Sequence, residues 1–206
     1  TAYKGYCTDG FFSEAKGFIK ECRKTDTPFF CFIPTNAPHS PYNVSEKWSS
    51  VYKESHIPED RKRFYGMISN IDSNFKDMLS YLEMLECREN TIIIFMTDNG
   101  SSCGAVLDQD GCVTEGYNAG LRGMKGSPYD GGHRVPFFIQ WDAAGIDIGR
   151  DIPAATANID ILPTLAELTG APLPNNIHGR SLVPLLMEKQ DSELWQSRVI
   201  VTDSQR

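Results

Sequence analysis

The sequence predicts an α/β fold, a layered sheet with helices on both faces, on two observations. Four short, continuous apolar runs rich in Ile, Val and Phe, at residues 28–34, 91–97, 135–141 and 198–202, read as strands covered on both sides. Patterns of helical period separate them, and strands alternating with helices pack as layers around one core. Composition agrees, because 206 residues with 40% hydrophobic and 23% charged content suit one globular domain, a size that buries roughly 70% of the unfolded surface.

The elements follow in order. A helix is expected over residues 12–22, then the strand at 28–34 and an irregular stretch at 34–57. The clearest helix spans 60–86, where Phe64, Met67, Ile68, Ile71, Phe75, Met78, Leu79, Leu82 and Leu85 form one stripe. Pro58, Glu59 and Asp60 give it an acidic start. After the strand at 91–97 comes a second irregular stretch, 100–132, then the strand at 135–141. Helices are expected at 159–168, ahead of Gly170, and at 182–188, before the last strand. Irregular stretches this long inside a compact domain are usually functional or disordered, and ligands of open α/β sheets bind outside the carboxyl ends of strands.

Charge and cysteine usage exclude several classes. A net charge of −7 and a pI near 5.1 argue against nucleic-acid or anionic-membrane partners, which need clustered Lys and Arg. The one basic run, Arg61-Lys62-Arg63, reads as a solvated helix start. No apolar stretch approaches the ~20 residues that span a bilayer, and no basic-then-apolar leader opens the chain. The six cysteines form no C-x-x-C pair and no zinc-type spacing with the four histidines. Cys103 and Cys112 bracket a polar loop and would close a disulfide in an exported protein, or else remain thiols.

Chemistry concentrates at three places. Asp98 and Asn99 end the run Thr91-Ile-Ile-Ile-Phe-Met-Thr-Asp98-Asn99-Gly100. Asn-Gly alone signals a hairpin turn, but a hairpin needs a second apolar strand at once, and Ser101-Ser102-Cys103-Gly104 follows. What remains is a strand delivering a carboxylate and a carboxamide, hard oxygen donors suited to calcium or magnesium. His39 sits between Pro38 and Pro41, which restrict the backbone around it. Rigid placement suits a proton donor to a leaving oxygen, since an imidazole changes protonation state near neutrality. Lys125 lies among glycines in Gly120-Leu-Arg-Gly123-Met-Lys125-Gly126-Ser127-Pro128. A phosphate-binding loop would require Gly-Lys-Ser/Thr opening a helix after a strand, so no nucleotide site is expected. The glycines instead let the backbone approach a small anion, with the ammonium as a point charge. Arg134 is expected to brace this loop through carbonyls, and Asp108-Gln-Asp110-Gly111 to form a turn, lacking full calcium-loop spacing. His56, His133 and His178 are expected in structural or surface roles.

The order of these signals, with Tyr129-Asp-Gly-Gly-His-Arg134-Val-Pro, Ile159-Asp-Ile-Leu-Pro-Thr-Leu and Gly179-Arg-Ser-Leu-Val-Pro-Leu-Leu, resembles the sulfatases of the alkaline phosphatase superfamily across nearly the whole chain. The resemblance implies an alkaline-phosphatase-like fold and a calcium ion held by Asp98, Asn99 and two aspartates from the first half of the domain. It implies His39 beside the leaving oxygen, Lys125 on the sulfate, and a formylglycine nucleophile made from the Cys or Ser of Cys/Ser-x-Pro-x-Arg. That motif is absent: Cys31 has its proline one place too far, while Ser40-Pro41 and Ser127-Pro128 have theirs one too near. Residues 1–206 are therefore expected to be the C-terminal part of a sulfatase catalytic domain, with 190–206 opening a small subdomain, and to lack turnover and bind calcium weakly alone. The substrate implied is a sulfated small molecule or glycan, and the family implies export to a periplasmic, extracellular or lysosome-like compartment. The alternatives are a phosphodiester or phosphonate ester hydrolase of the same superfamily and a non-catalytic relative. Asp-Asn suits one-metal members, where two-metal phosphatases commonly have Asp-His.

Overall fold

The computed structural model describes residues 4–146, 149–188 and 192–202. Helix α1 (Cys7–Lys24) lies against α3 (Glu59–Met84), with a short helix α2 (Glu46–Ser49) between them in sequence. Phe12, Ala15 and Ile19 recur at helical spacing on α1 and bury against Met78, Leu82 and Cys87. The predicted long helix is thus present over almost its full span. Its stripe also carries polar residues that periodicity could not reveal: Asn70, 1% exposed, and Asn74 each donate to Asp9 Oδ1 at 2.8 Å, joining α3 to the first turn of α1.

Strand β1 (Ile93–Met96) pairs antiparallel with β4 (Phe137–Gln140), Ile93 opposite Gln140 and Met96 opposite Phe137. On one face of this ribbon Ile93 meets the α1–α3 core, and Phe95 meets Phe75 at 5.5 Å. On the other, Phe137, Ile139 and Trp141 pack against Leu182, Leu185, Leu186 and Trp195. These come from α6 (Val183–Leu186), its preceding turn, and α7 (Ser192–Gln196). Helices therefore cover both faces, the expected layering. Helix α5 (Ile161–Thr169) ends at Gly170, whose φ of 71° gives the left-handed cap that favours glycine.

Two predicted strands are not strands among the described residues. Residues 28–34 alternate by burial, with Phe29, Cys31 and Ile33 against the α1–α3 core and Phe30 and Phe32 about three-quarters exposed. The chain is extended, but one side faces solvent where cover on both sides was expected, and no neighbouring backbone pairs with it. Residues 198–202 likewise lack a ladder partner, and Val199 and Val201 are exposed. Arg61 also departs from expectation. It is buried and its guanidinium reaches Glu115 at 3.6 Å, so Arg61-Lys62-Arg63 is not a uniformly solvated start.

Both irregular stretches hold structure. Residues 34–57 contain α2, capped by Ser45, and Tyr52, whose hydroxyl meets Ser69 at 2.7 Å. Residues 100–132 contain a hairpin of β2 (Ala105–Leu107) and β3 (Val113–Gly116) and the short helix α4 (Asp130–His133). Asp108 turns that hairpin by accepting from the Asp110 and Cys112 N–H groups, the expected turn rather than a calcium loop. Cys103 and Cys112 are free thiols, as are the other four cysteines. The stretch 190–206 lies partly outside the described residues; within it, 192–202 pack on α5 and α6 through Trp195 and Arg198.

Candidate active site

Strand β1 runs out at Met96, and the next residues carry the first candidate ligands beyond its carboxyl end. Asp98 is exposed, and its Oδ1 accepts the Asn99 N–H at 2.9 Å. Asn99 donates its side-chain amide to the Gly100 carbonyl at 3.0 Å. Its carboxamide oxygen and the second Asp98 oxygen have no partner among the described residues. Asn99-Gly100 is not a hairpin turn, because the partner of β1 is β4.

Gly100 sits there for a steric reason. Its N–H donates to the Gly132 carbonyl at 2.9 Å, and an added Cβ would collide with the Gly131 carbonyl. Gly131 and Gly132 in turn leave no room for a Cβ against the Gly123 and Ser127 carbonyls. This seam of bare backbone clamps the end of β1 to the loop that carries Lys125. Gly100→Ala should therefore cost about 1–3 kcal/mol by overpacking, read as a lower denaturation midpoint. An unchanged midpoint would show that the seam is loose.

Lys125 is half-buried, its N–H donates to the Ser101 carbonyl at 2.9 Å, and its ammonium makes no hydrogen bond or ion pair among the described residues. Asn118 holds the loop from inside, donating to the Leu121 and Gly123 carbonyls at 2.7 and 2.9 Å. Arg122, not Arg134, reaches across to a carbonyl, its Nε donating to Asp110 at 2.7 Å. Arg134 instead faces solvent with Asp130 at 3.7 Å, one helical turn away, because residues 130–133 are helical and bring that carboxylate to its side. His133 contacts the Pro128 carbonyl at 3.1 Å, a structural role, while His56 and His178 are exposed.

His39 is exposed, and its Nδ1 lies 2.8 Å from the Ser40 carbonyl. A carbonyl only accepts, so Nδ1 carries the proton and Nε2 is without a partner among the described residues. Three residues on, the Tyr42 side chain lies beside Ser102 and Cys103, and its ring packs edge-on to Phe64 at 5.8 Å. Burial, and then the Cys103 contact, push the phenol's pKa up. Residues 100–104 thus meet both loops, hydrogen-bonded to the Lys125 loop at Ser101 and lying beside Tyr42 of the His39 loop at Ser102 and Cys103. Tyr42 and Asn118 carry no motif of their own, and sequence reasoning passed over both.

The donor chemistry of Asp98 and Asn99 fits a hard divalent cation, but two side chains supply only part of the about six to eight oxygens calcium takes. Among the described residues no group of three or more His, Cys, Asp or Glu side chains is placed to hold a metal.

The sequence model of the Sulfatase family matches residues 1–171. Steryl-sulfatase from Homo sapiens is 34% identical over 179 residues, 85% of this chain and 29% of that protein. Arylsulfatase A from Homo sapiens is 29% identical over 178 residues, 84% of this chain and 31% of that protein. Among solved structures, Ps i-CgsB in complex with k-i-k-neocarrahexaose superposes with a TM-score of 0.81 at 26% identity, covering 92% of this chain and 40% of that one. The chain therefore spans about a third of the curated relatives it matches.

Proposed function

From the premise that this chain belongs to the sulfatase family and carries part of its alkaline-phosphatase-like α/β fold, we propose that it supplies the cation-binding and sulfate-binding side of a sulfuric ester hydrolase. The observation that carries the reading is one seam, in which the Gly100 and Ser101 backbone joins the Asp98-Asn99 turn to the loop of the unpaired Lys125 ammonium, with Tyr42 of the His39 loop beside Ser102 and Cys103. Asp98 and Asn99 would hold calcium, or magnesium as the same class of hard ion, which when bound polarises sulfate oxygens. Lys125 neutralises charge on the sulfate, and Nε2 of His39, once protonated, gives its proton to the leaving oxygen. The nucleophile, a formylglycine, is proposed to come from residues outside these 206, since no Cys/Ser-x-Pro-x-Arg occurs among them. The chain alone is then inactive and binds calcium weakly.

A sulfated glycan is the substrate class favoured, supported by the carrahexaose complex of Ps i-CgsB, and an exported protein is the setting proposed. No helix among the described residues is long and apolar enough to cross a membrane. The test is an assay of the complete reading frame on an aryl sulfate and an aryl phosphodiester. Faster turnover of the sulfate is expected; much faster phosphodiester turnover would reassign the activity, and an upstream sequence without Cys/Ser-x-Pro-x-Arg would sink the enzyme reading.

A further inference from the structure

We propose that Arg122 forms a second oxyanion subsite beside Lys125, so that the substrate is a glycan bearing at least two anionic groups; this rests on the reading of Lys125 as the sulfate contact. Arg122 is exposed, yet its side chain is held at two points. Its Nε donates to the Asp110 carbonyl at 2.7 Å, and its guanidinium lies 3.8 Å over the Tyr129 ring. The stem runs past Gly111, its Cγ 3.5 Å from where a Cβ would stand there, an ordinary packing distance. The backbone is fixed as well, with the Gly131 N–H on the Arg122 carbonyl at 2.7 Å and the Gly123 N–H on the Gly111 carbonyl at 2.8 Å.

What this rigid guanidinium lacks is an acceptor. Arg61, Arg88, Arg134, Arg150, Arg180 and Arg198 each aim an Nη group at an oxygen of the protein. Among the described residues Arg122 pairs with no carboxylate, and both its Nη groups are without partners. A planar fork of donors matches sulfate or carboxylate oxygens in a bidentate way. Holding that fork still in advance removes the ordering cost of binding. Arg122 and Lys125 are three residues apart, so their Cα atoms lie within about 11 Å. Two cations on one loop, in a protein of net charge −7, concentrate attraction where a polyanionic substrate would meet it.

The experiment measures, by titration calorimetry, the binding of three disaccharides, carrying one sulfate, two sulfates, or one sulfate and one carboxylate, to the complete reading frame that contains this chain, its nucleophile replaced by alanine so that no turnover occurs. A second anion should tighten binding about tenfold. Arg122→Gln, which keeps a donor for the Asp110 carbonyl, should erase that gain and leave the monosulfated ligand within about twofold. Arg122→Ala should do the same if it folds. Equal binding of the mono- and dianionic ligands by the protein that keeps Arg122, no binding of any, or a gain that survives both Arg122 substitutions overturns the proposal. So does equal weakening of all ligands, which would make Arg122 only a brace for the loop. Which dianion gains identifies the second group as sulfate or carboxylate. Lys125→Ala separates the two readings, since unchanged binding of the monosulfated ligand would remove the primary site while leaving the dianion comparison to judge Arg122.

Discussion

Lys125→Ala, in a protein combining this chain with a functioning nucleophile, should lower kcat/KM for a sulfate ester by about 10²–10³-fold, or ~2.7–4 kcal/mol of transition-state stabilisation. The size follows from three features of the loop. Lys125 is half-buried, so its charge acts through a partly excluded solvent. Its ammonium has no competing carboxylate among the described residues. The loop is pinned by Ser101, Asn118 and the glycine seam, so the charge is aimed before substrate arrives. The protein's net charge of −7 cannot substitute for it at long range. Saturation kinetics divide the effect: an ammonium that meets charge developing in the transition state lowers kcat along with kcat/KM, whereas a ground-state contact raises KM alone. An unchanged rate would take Lys125 out of the site.

What the sequence made legible was whatever rests on short-range pattern. The stripe from Phe64 to Leu85 specified α3, and the run before Asp98-Asn99-Gly100 specified a strand that ends just ahead of them, because both depend on spacing within one element. Residues 28–34 and 198–202 mark the limit. Their continuous apolar content implied strands covered on both sides, but a strand also needs a partner, which no local pattern supplies, and Phe30, Phe32, Val199 and Val201 are exposed. The candidate site was legible as single side chains and illegible as an assembly. Tyr42, Asn118 and Arg122 act through contacts to residues 102–103, to carbonyls at 121 and 123, and to the turn at 110, none of which leaves a signature beyond ordinary loop residues. Arg61 misled for the same reason, since a basic run looks solvated until Glu115, 54 positions on, is found beside it.

A second large effect is expected far from Lys125, at Asp160. This carboxylate is fully buried and accepts from the Ala157 and Arg180 N–H groups at 2.8 Å and from Arg198 at 2.6 and 2.7 Å. Arg198, itself 4% exposed, stacks near Trp195 and so ties the segment after α7 to the start of α5. Asp160→Ala leaves that guanidinium buried without its partner, which should cost about 3–5 kcal/mol and lower Tm by on the order of 10 °C in a domain of this size. Replacing both partners by leucine should recover only the share owed to the stranded guanidinium, because the Ala157 and Arg180 N–H groups still lose their acceptor. The same pair sets an acid dependence. Burial alone would push the Asp160 carboxyl up, but the Arg198 and backbone hydrogen bonds outweigh it and hold the pKa below the ordinary carboxylate value. Its contribution is therefore complete above the unfolded pKa of about 4 and is lost as pH falls through the lower folded value. Thermal unfolding followed from pH 7 to below pH 4 should show the wild type and Asp160→Ala converging in Tm at the acid end; a gap that stays constant would mean that Asp160 acts through packing and not through its charge.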